Sequence, residues 1–211
     1  MNKNLYINNF EIWEQSETEQ LPDISFIPPL TRRRLTKIEK IGIYLANKVC
    51  GDRNDYFTIF ASRFGEWNIT FELIKQLHLT AEISPAGFST SVHNATPGIL
   101  SVLTKNQHSY TAISAKEWTI DNALTEASIS KLPVLLIYTE EETPEFYKEK
   151  FQTPFLSHGI ALLISDKKEG QPIEISNSFS KDKFTTFTEL KNFLINDTNL
   201  QTNHLLLRKL K

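Results

Sequence analysis

The residues best placed to do chemistry lie between 84 and 127. There a small, polar, turn-rich run, FSTSVHNATPG (Phe88 to Gly98), leads into an apolar helical piece, a short strand SYTAISA and a helix starting near Glu117. A strand that turns sharply into a helix is where many α/β enzymes display a nucleophile, because the helix N-terminus stabilises negative charge. Here the turn reads Ala115-Lys116-Glu117-Trp118-Thr119, which holds no cysteine, and Ser114 lacks the flanking glycines of a nucleophile elbow. The pattern predicts a nucleophile mount without its nucleophile.

Few other residues offer reactivity. The single cysteine, Cys50, rules out an intramolecular disulfide and a cysteine-based zinc site. Its cationic neighbours are no closer than Lys48 and Arg53, so it reads as an inert, partly buried thiol. Arg63 and Glu66 flank Gly65 at a strand-to-helix turn and read as structural. Trp13, Trp67 and Trp118 read as packing. No metal and no cofactor is expected.

The elements that position these residues follow from periodicity. Leu5 to Trp13 alternates as a first strand, followed by a polar loop that ends in Pro28-Pro29. Thr31 is the expected N-cap of a helix running to Cys50, with Leu35, Ile38, Ile41, Leu45 and Val49 on its buried face and Gly51 ending it. Asp55 to Ala61 is an apolar central strand. Glu66 to His78 is a helix with Trp67, Thr70, Phe71, Ile74 and Leu77 on one side. Beyond the organising stretch come a strand over Leu132 to Tyr138, an acidic and aromatic loop with a short helical turn over 139 to 157, strands over Gly159 to Ser165 and Pro172 to Ser178, and a helix over Phe187 to Ile195. The closing NHLLLRKLK reads as a helix or strand docked on a partner, or as a frayed end. The order β-α-β-α-α-β-α-β-β-β-α predicts a three-layer α-β-α domain over 1–211, with a mixed sheet whose parallel strands come first and whose antiparallel strands lie at the edge.

Bulk properties narrow the classes of function. In 211 residues, 40% hydrophobic and 23% charged, a net charge near −2 gives no reason to expect nucleic-acid binding. Met1 is followed by Asn-Lys-Asn rather than a basic and then apolar leader, and no apolar run is long enough to span a bilayer. A soluble, cytoplasmic protein is expected.

Arg32-Arg33-Arg34-Leu35, Phe60-Ala61-Ser62-Arg63-Phe64-Gly65-Glu66, Ser84-Pro85, Phe88-Ser89, Ser91-Val92-His93-Asn94-Ala95 and Gly98 occur in that order. With them the chain resembles the β-ketoacyl synthase-like N-terminal domain family over roughly residues 5 to 195. These short proteins are similar to the first half of a ketosynthase or chain-length factor and accompany aryl-polyene and flexirubin-type pigment pathways. The resemblance implies a thiolase-like half fold in which Glu117 stands at or beside the position of the catalytic cysteine, Lys116 being the alternative. The two ketosynthase histidines belong to a C-terminal half, so His158 and His204 are not expected to fill their roles. Condensation by this chain alone is therefore not expected. The resemblance implies instead a silent, chain-length-factor-like accessory that binds a ketosynthase, an acyl carrier protein or both, as a homo- or heterodimer paired through the strand Tyr110 to Ala115.

Each site residue keeps two readings. Glu117 can line an acyl pocket or orient a partner, or it can be a helix-start carboxylate with a structural role. His93-Asn94, next to Ser91, can bridge an interface or polarise a thioester carbonyl. Asn94 can equally cap a helix from Ala95 with Pro97 in its first turn, and the local sequence favours the cap. Arg32, Arg33 and Arg34 can dock an acidic carrier protein, or can be a solvated helix start that opposes the helix dipole. The rival function is a small acyl-thioester hydrolase or malonyl-carrier-protein decarboxylase using His93, Asn94 and Glu117. A scaffold carrying no acyl group is a third possibility.

Overall fold

The computed structural model describes residues 5–130, 133–150, 155–176, 183–196, 199–202 and 205–210. In chain order the elements are β1 (Leu5–Glu14), α1 (Pro29–Arg32), α2 (Lys37–Cys50), β2 (Phe57–Ala61), α3 (Trp67–Thr80), α4 (Pro85–Thr90), α5 (Ala95–Thr104), β3 (Tyr110–Ile113) and a 3-10 turn (Lys116–Trp118). They continue with α6 (Thr119–Ile129), β4 (Val134–Glu140), α7 (Glu145–Lys148), β5 (His158–Ser165), β6 (Gln171–Ser176), α8 (Phe187–Ile195), β7 (Leu200–Gln201) and β8 (Leu206–Lys209). The expected strand residues Leu132, Asn177 and Ser178 lie outside the described residues.

The strands form one sheet in the order β3-β2-β4-β5-β1-β6-β8-β7. Among the described residues the parallel pairings are β2 with β3 and β2 with β4, and the other pairings are antiparallel. The expected antiparallel edge is present as β6, β8 and β7, and antiparallel pairing extends from it to the middle of the sheet, because β5 inserts between β1 and β4. The reason lies in side-chain character. After its first residue every residue of β5 is buried, as is all of β4, so both belong where helices cover the two faces. The connection from β4 to β5 carries only the four-residue α7, which suits reversal rather than a parallel crossover.

Period-two alternation splits the core in two. Ile59, Leu136, Ile160 and Leu162 face α6 and α8, meeting Ile120, Leu124, Leu190 and Phe193. Phe60, Leu135, Ile137 and Leu163 face α2 and α5, meeting Ile38, Ile41, Leu45 and Leu100. The result is the expected three layers. Of the closing segment, Leu206–Lys209 docks on the chain's own sheet as β8, paired with β6, with Leu205 and Leu207 buried; Asn203, His204 and Lys211 lie outside the described residues.

Two helix starts differ from expectation. Thr36, not Thr31, caps α2, and it does so in a reciprocal box with Glu39: the Glu39 N–H donates to the Thr36 hydroxyl at 3.1 Å and the Thr36 N–H to Glu39 Oε2 at 2.8 Å. The Pro28-Pro29 pair starts the separate short helix α1 instead, and Arg32 and Arg33 form its end. The arginines therefore sit where a helix favours positive charge. The α3 helix carries the expected apolar stripe but has no buried residue; Ile74 and Leu77 are exposed.

Candidate functional site

At the end of β3 the backbone makes a sharp turn. Ser114 and Ala115 follow the strand, Lys116 takes φ +52°, and α6 begins at Thr119. A side chain that bulky at positive φ is strained, and such strain gathers at functional turns. The elbow tip is thus Lys116, with Glu117 one residue beyond it. The Thr119 hydroxyl locks the turn, accepting from the Ala115 N–H at 3.0 Å and donating to the Lys116 carbonyl at 2.7 Å. Glu117 does not stand free at the helix start: the Arg63 guanidinium donates to its Oε1 at 2.8 Å. Both side chains are about a third exposed, so this pair positions the turn more than it stabilises the fold.

Arg63 comes from the β2–α3 turn, which is built around the buried carboxylate of Glu140, the last residue of β4. That carboxylate accepts from the Ser62 hydroxyl at 3.2 Å, the Phe64 N–H at 3.3 Å and the Arg63 N–H. Burial pushes the Glu140 carboxyl up to about 7, against the pull of these donors. At the end of the same turn, Glu66 accepts from the Thr36 hydroxyl at 2.8 Å, while its Oε2 is buried with no hydrogen-bond partner among the described residues. Burial, followed by the nearby charge of Glu141, pushes Glu66 up to about 9.

His93 is held on the other side of this turn. Its Nε2 lies 3.1 Å from the Ile113 carbonyl, which only accepts, so Nε2 carries the proton. The ring edge meets Phe60 at 5.7 Å and presses on Gly65, where an added Cβ would fall 2.6 Å from Nδ1. His93 therefore fastens the end of β3 to the β2–α3 turn. Asn94 occupies the N-cap position of α5 but makes no side-chain cap bond, contrary to the favoured expectation; its backbone (φ −94°, ψ 12°) is not the extended form that aims a cap. The Ser91 hydroxyl donates to the Phe88 carbonyl at 2.9 Å. These three residues do not converge on Glu117. Cys50 is remote from the elbow, and burial pushes its thiol up to about 12, in keeping with an inert group.

A cavity of about 170 Å³ opens behind the elbow, bounded by Lys116, Glu117 and Arg63 and by Glu140 and His158 from the facing strand ends. Glu140 and His158 are register partners on β4 and β5. Neither stood among the sequence-derived site residues. Glu140 begins the acidic run EEE just where the apolar strand ends, and that abrupt change was the available signal. His158 is set apart from the ketosynthase histidines by the resemblance, and only the β4–β5 pairing brings it to the elbow. His204 lies outside the described residues.

Arg33 and Arg34 are exposed and Arg32 is half-buried; none of the three makes an ion pair among the described residues. No group of described residues has the makings of a metal site, and no described helix is long and apolar enough to cross a membrane.

Comparison with known proteins gives a consistent picture. The family model described as beta-ketoacyl synthase, N-terminal domain, matches residues 9–209. A chain of the complex between the ketosynthase ApeO and its chain length factor ApeC from Xenorhabdus doucetiae superposes with a TM-score of 0.76 at 20% identity, covering 97% of this chain and 98% of that one. The ishigamide ketosynthase/chain length factor gives 0.68 at 9% identity, covering 84% and 68%. A chain of the AntDE:AntF complex, a type II polyketide acyl-carrier protein with its ketosynthase, gives 0.65 at 13% identity, covering 86% and 71%. No curated protein matches.

Proposed function

Because the chain belongs to the beta-ketoacyl synthase N-terminal domain family and has a thiolase-like fold, we propose that residues 1–211 act as one catalytically silent accessory domain of the chain-length-factor kind. In a fatty acid- or polyketide-type pathway, of the aryl-polyene or flexirubin sort, it pairs with a ketosynthase subunit and receives an acyl carrier protein. One observation carries the proposal: among the described residues the sheet ends at β3 with no strand beyond it, and the α3–α4–α5 layer, which reaches β3 through α5, leaves Ile74, Leu77 and Phe88 exposed, as is Val92 just before α5. An open edge flanked by apolar side chains is a surface made to be covered. The Ser109 and Ile113 carbonyls accept from β2, so by alternation Tyr110 and Ala112 present their backbone groups to the open side. The elbow lacks a thiol, which supports a silent role.

The rival hydrolase or decarboxylase finds little support, since His93 is committed to the Ile113 carbonyl and neither it nor Asn94 borders the cavity at Glu117. Co-expression with the ketosynthase of the same pathway tests the proposal. A complex of one copy of each is expected by native mass, and Ala112→Pro, which removes an outward N–H, is expected to abolish it while leaving the circular dichroism spectrum unchanged. A lone chain that consumes acyl-carrier thioesters contradicts the proposal.

Carrier docking is the role proposed for Arg33 and Arg34. Reversing both, Arg33→Glu with Arg34→Glu, is expected to weaken carrier-protein binding by about tenfold or more and to flatten its dependence on salt, as read by titration at two ionic strengths.

A further inference from the structure

The α2–α5 layer holds a second cavity, of about 440 Å³, at the opposite end of the parallel strands from the elbow. Gly51, Asp52 and Arg53 border it shortly before β2 and Thr104 shortly before β3, whereas the elbow follows β3. Its volume falls within the roughly 300–1,000 Å³ of small-ligand sites. Ile43 and Ala46 of α2 and Leu100 of α5, each no more than 2% exposed, form its floor. Phe26 and Val102, both exposed, stand at its rim.

The charges around this cavity favour a cation. Both α2 and α5 end at it, through Gly51 and Thr104, and the carbonyl end of a helix carries partial negative charge. The last carbonyls of α5, those of Leu103 and Thr104, accept no hydrogen bond among the described residues. The Asp52 carboxylate is exposed and makes no ion pair among the described residues. Arg53, the cation that borders the cavity, is neutralised by Asp55, which accepts from its Nε and, at 3.2 Å, from its Nη2. Lys48 and Lys105, next to the two helix ends, do not border the cavity. We infer that this cavity binds a small amphiphilic amine, its apolar body on Ile43, Ala46 and Leu100 and its ammonium against Asp52 and the end of α5. The apolar floor supplies the affinity and the charged rim selects the head group. An anion would meet a carboxylate and two carbonyl ends with no free guanidinium to offset them. The site is independent of any partner subunit.

Titration of the full chain at about pH 7, where an alkylamine is protonated, with hexylamine, hexanol and hexanoate tests this. The three probes carry similar tails and differ in the head, and the methyl resonances of Ile43 and Leu100 report occupancy. Hexylamine is expected to move those resonances and to bind about fivefold tighter than hexanol, the effect of one exposed ion pair, with hexanoate the weakest. Asp52→Asn changes an exposed side chain and leaves the floor intact, and it is expected to remove most of the preference for the amine. Resonances unmoved by hexylamine overturn the inference. So does an alcohol or acid that binds as tightly as the amine, or a preference undiminished in Asp52→Asn.

Discussion

Replacing Gly65 with alanine is expected to lower stability by about 3 kcal/mol, among the larger effects of a single substitution. Two costs add. At φ +58° any side chain is strained, by about 1–2 kcal/mol. The new Cβ would also fall 2.6 Å from His93 Nδ1, so the ring must move and surrender its bond to the Ile113 carbonyl, worth about 1 kcal/mol. The second cost belongs to the pair and not to the glycine. In a His93→Ala background, Gly65→Ala should therefore cost only the backbone part. Urea unfolding of the two single variants and the double variant measures the coupling. An additive result would show that His93 does not clamp this turn.

The second large effect is a dependence on pH. Glu66 is pushed from 4.5 up to about 9 and Glu140 from 4.5 up to about 7, burial being the main cause for both. A carboxyl whose pKa is raised by folding favours the protonated folded state. Its contribution is complete below the unfolded value and is lost as pH climbs through the folded one. Stability is thus expected to fall from about pH 4.5 upward, with both groups contributing to about pH 7 and Glu66 alone continuing to about pH 9. Each contributes a slope on the order of 1.4 kcal/mol per pH unit. Glu66→Gln keeps an oxygen for the Thr36 hydroxyl and removes the charge. It should match the unaltered chain near pH 5 and exceed its melting temperature increasingly toward pH 9. Parallel melting curves across that range would place the orphaned Oε2 elsewhere.

Much of the fold was legible because local signals and burial agreed. The apolar stripe from Ile38 to Val49, the glycine that ends it and the run over Phe187 to Ile195 each read correctly. Thr36, with Glu39 three residues on, carries a stronger cap signal than Thr31 within the same stretch, and the Pro28-Pro29 pair before Thr31 starts a separate short helix. The stripe on α3 was real, yet periodicity shows only that a face is apolar, not that this chain covers it. The place of β5 between β1 and β4 is a pairing of distant strands that no local pattern encodes. The same limit hid the cavity. Lys116 and Glu117 were visible as an elbow, but Glu140 and His158 reach it only through the register of β4 with β5.

The most direct test of the accessory role is amide hydrogen exchange at the outward edge of β3, with the chain alone and with its ketosynthase partner bound. The N–H groups of Tyr110 and Ala112 should exchange readily in the free chain and become strongly protected in the complex, while those of β2 change little. Unchanged exchange at Tyr110 and Ala112 in a complex of proven stoichiometry would contradict the account, because the open edge would then not be where the partner sits.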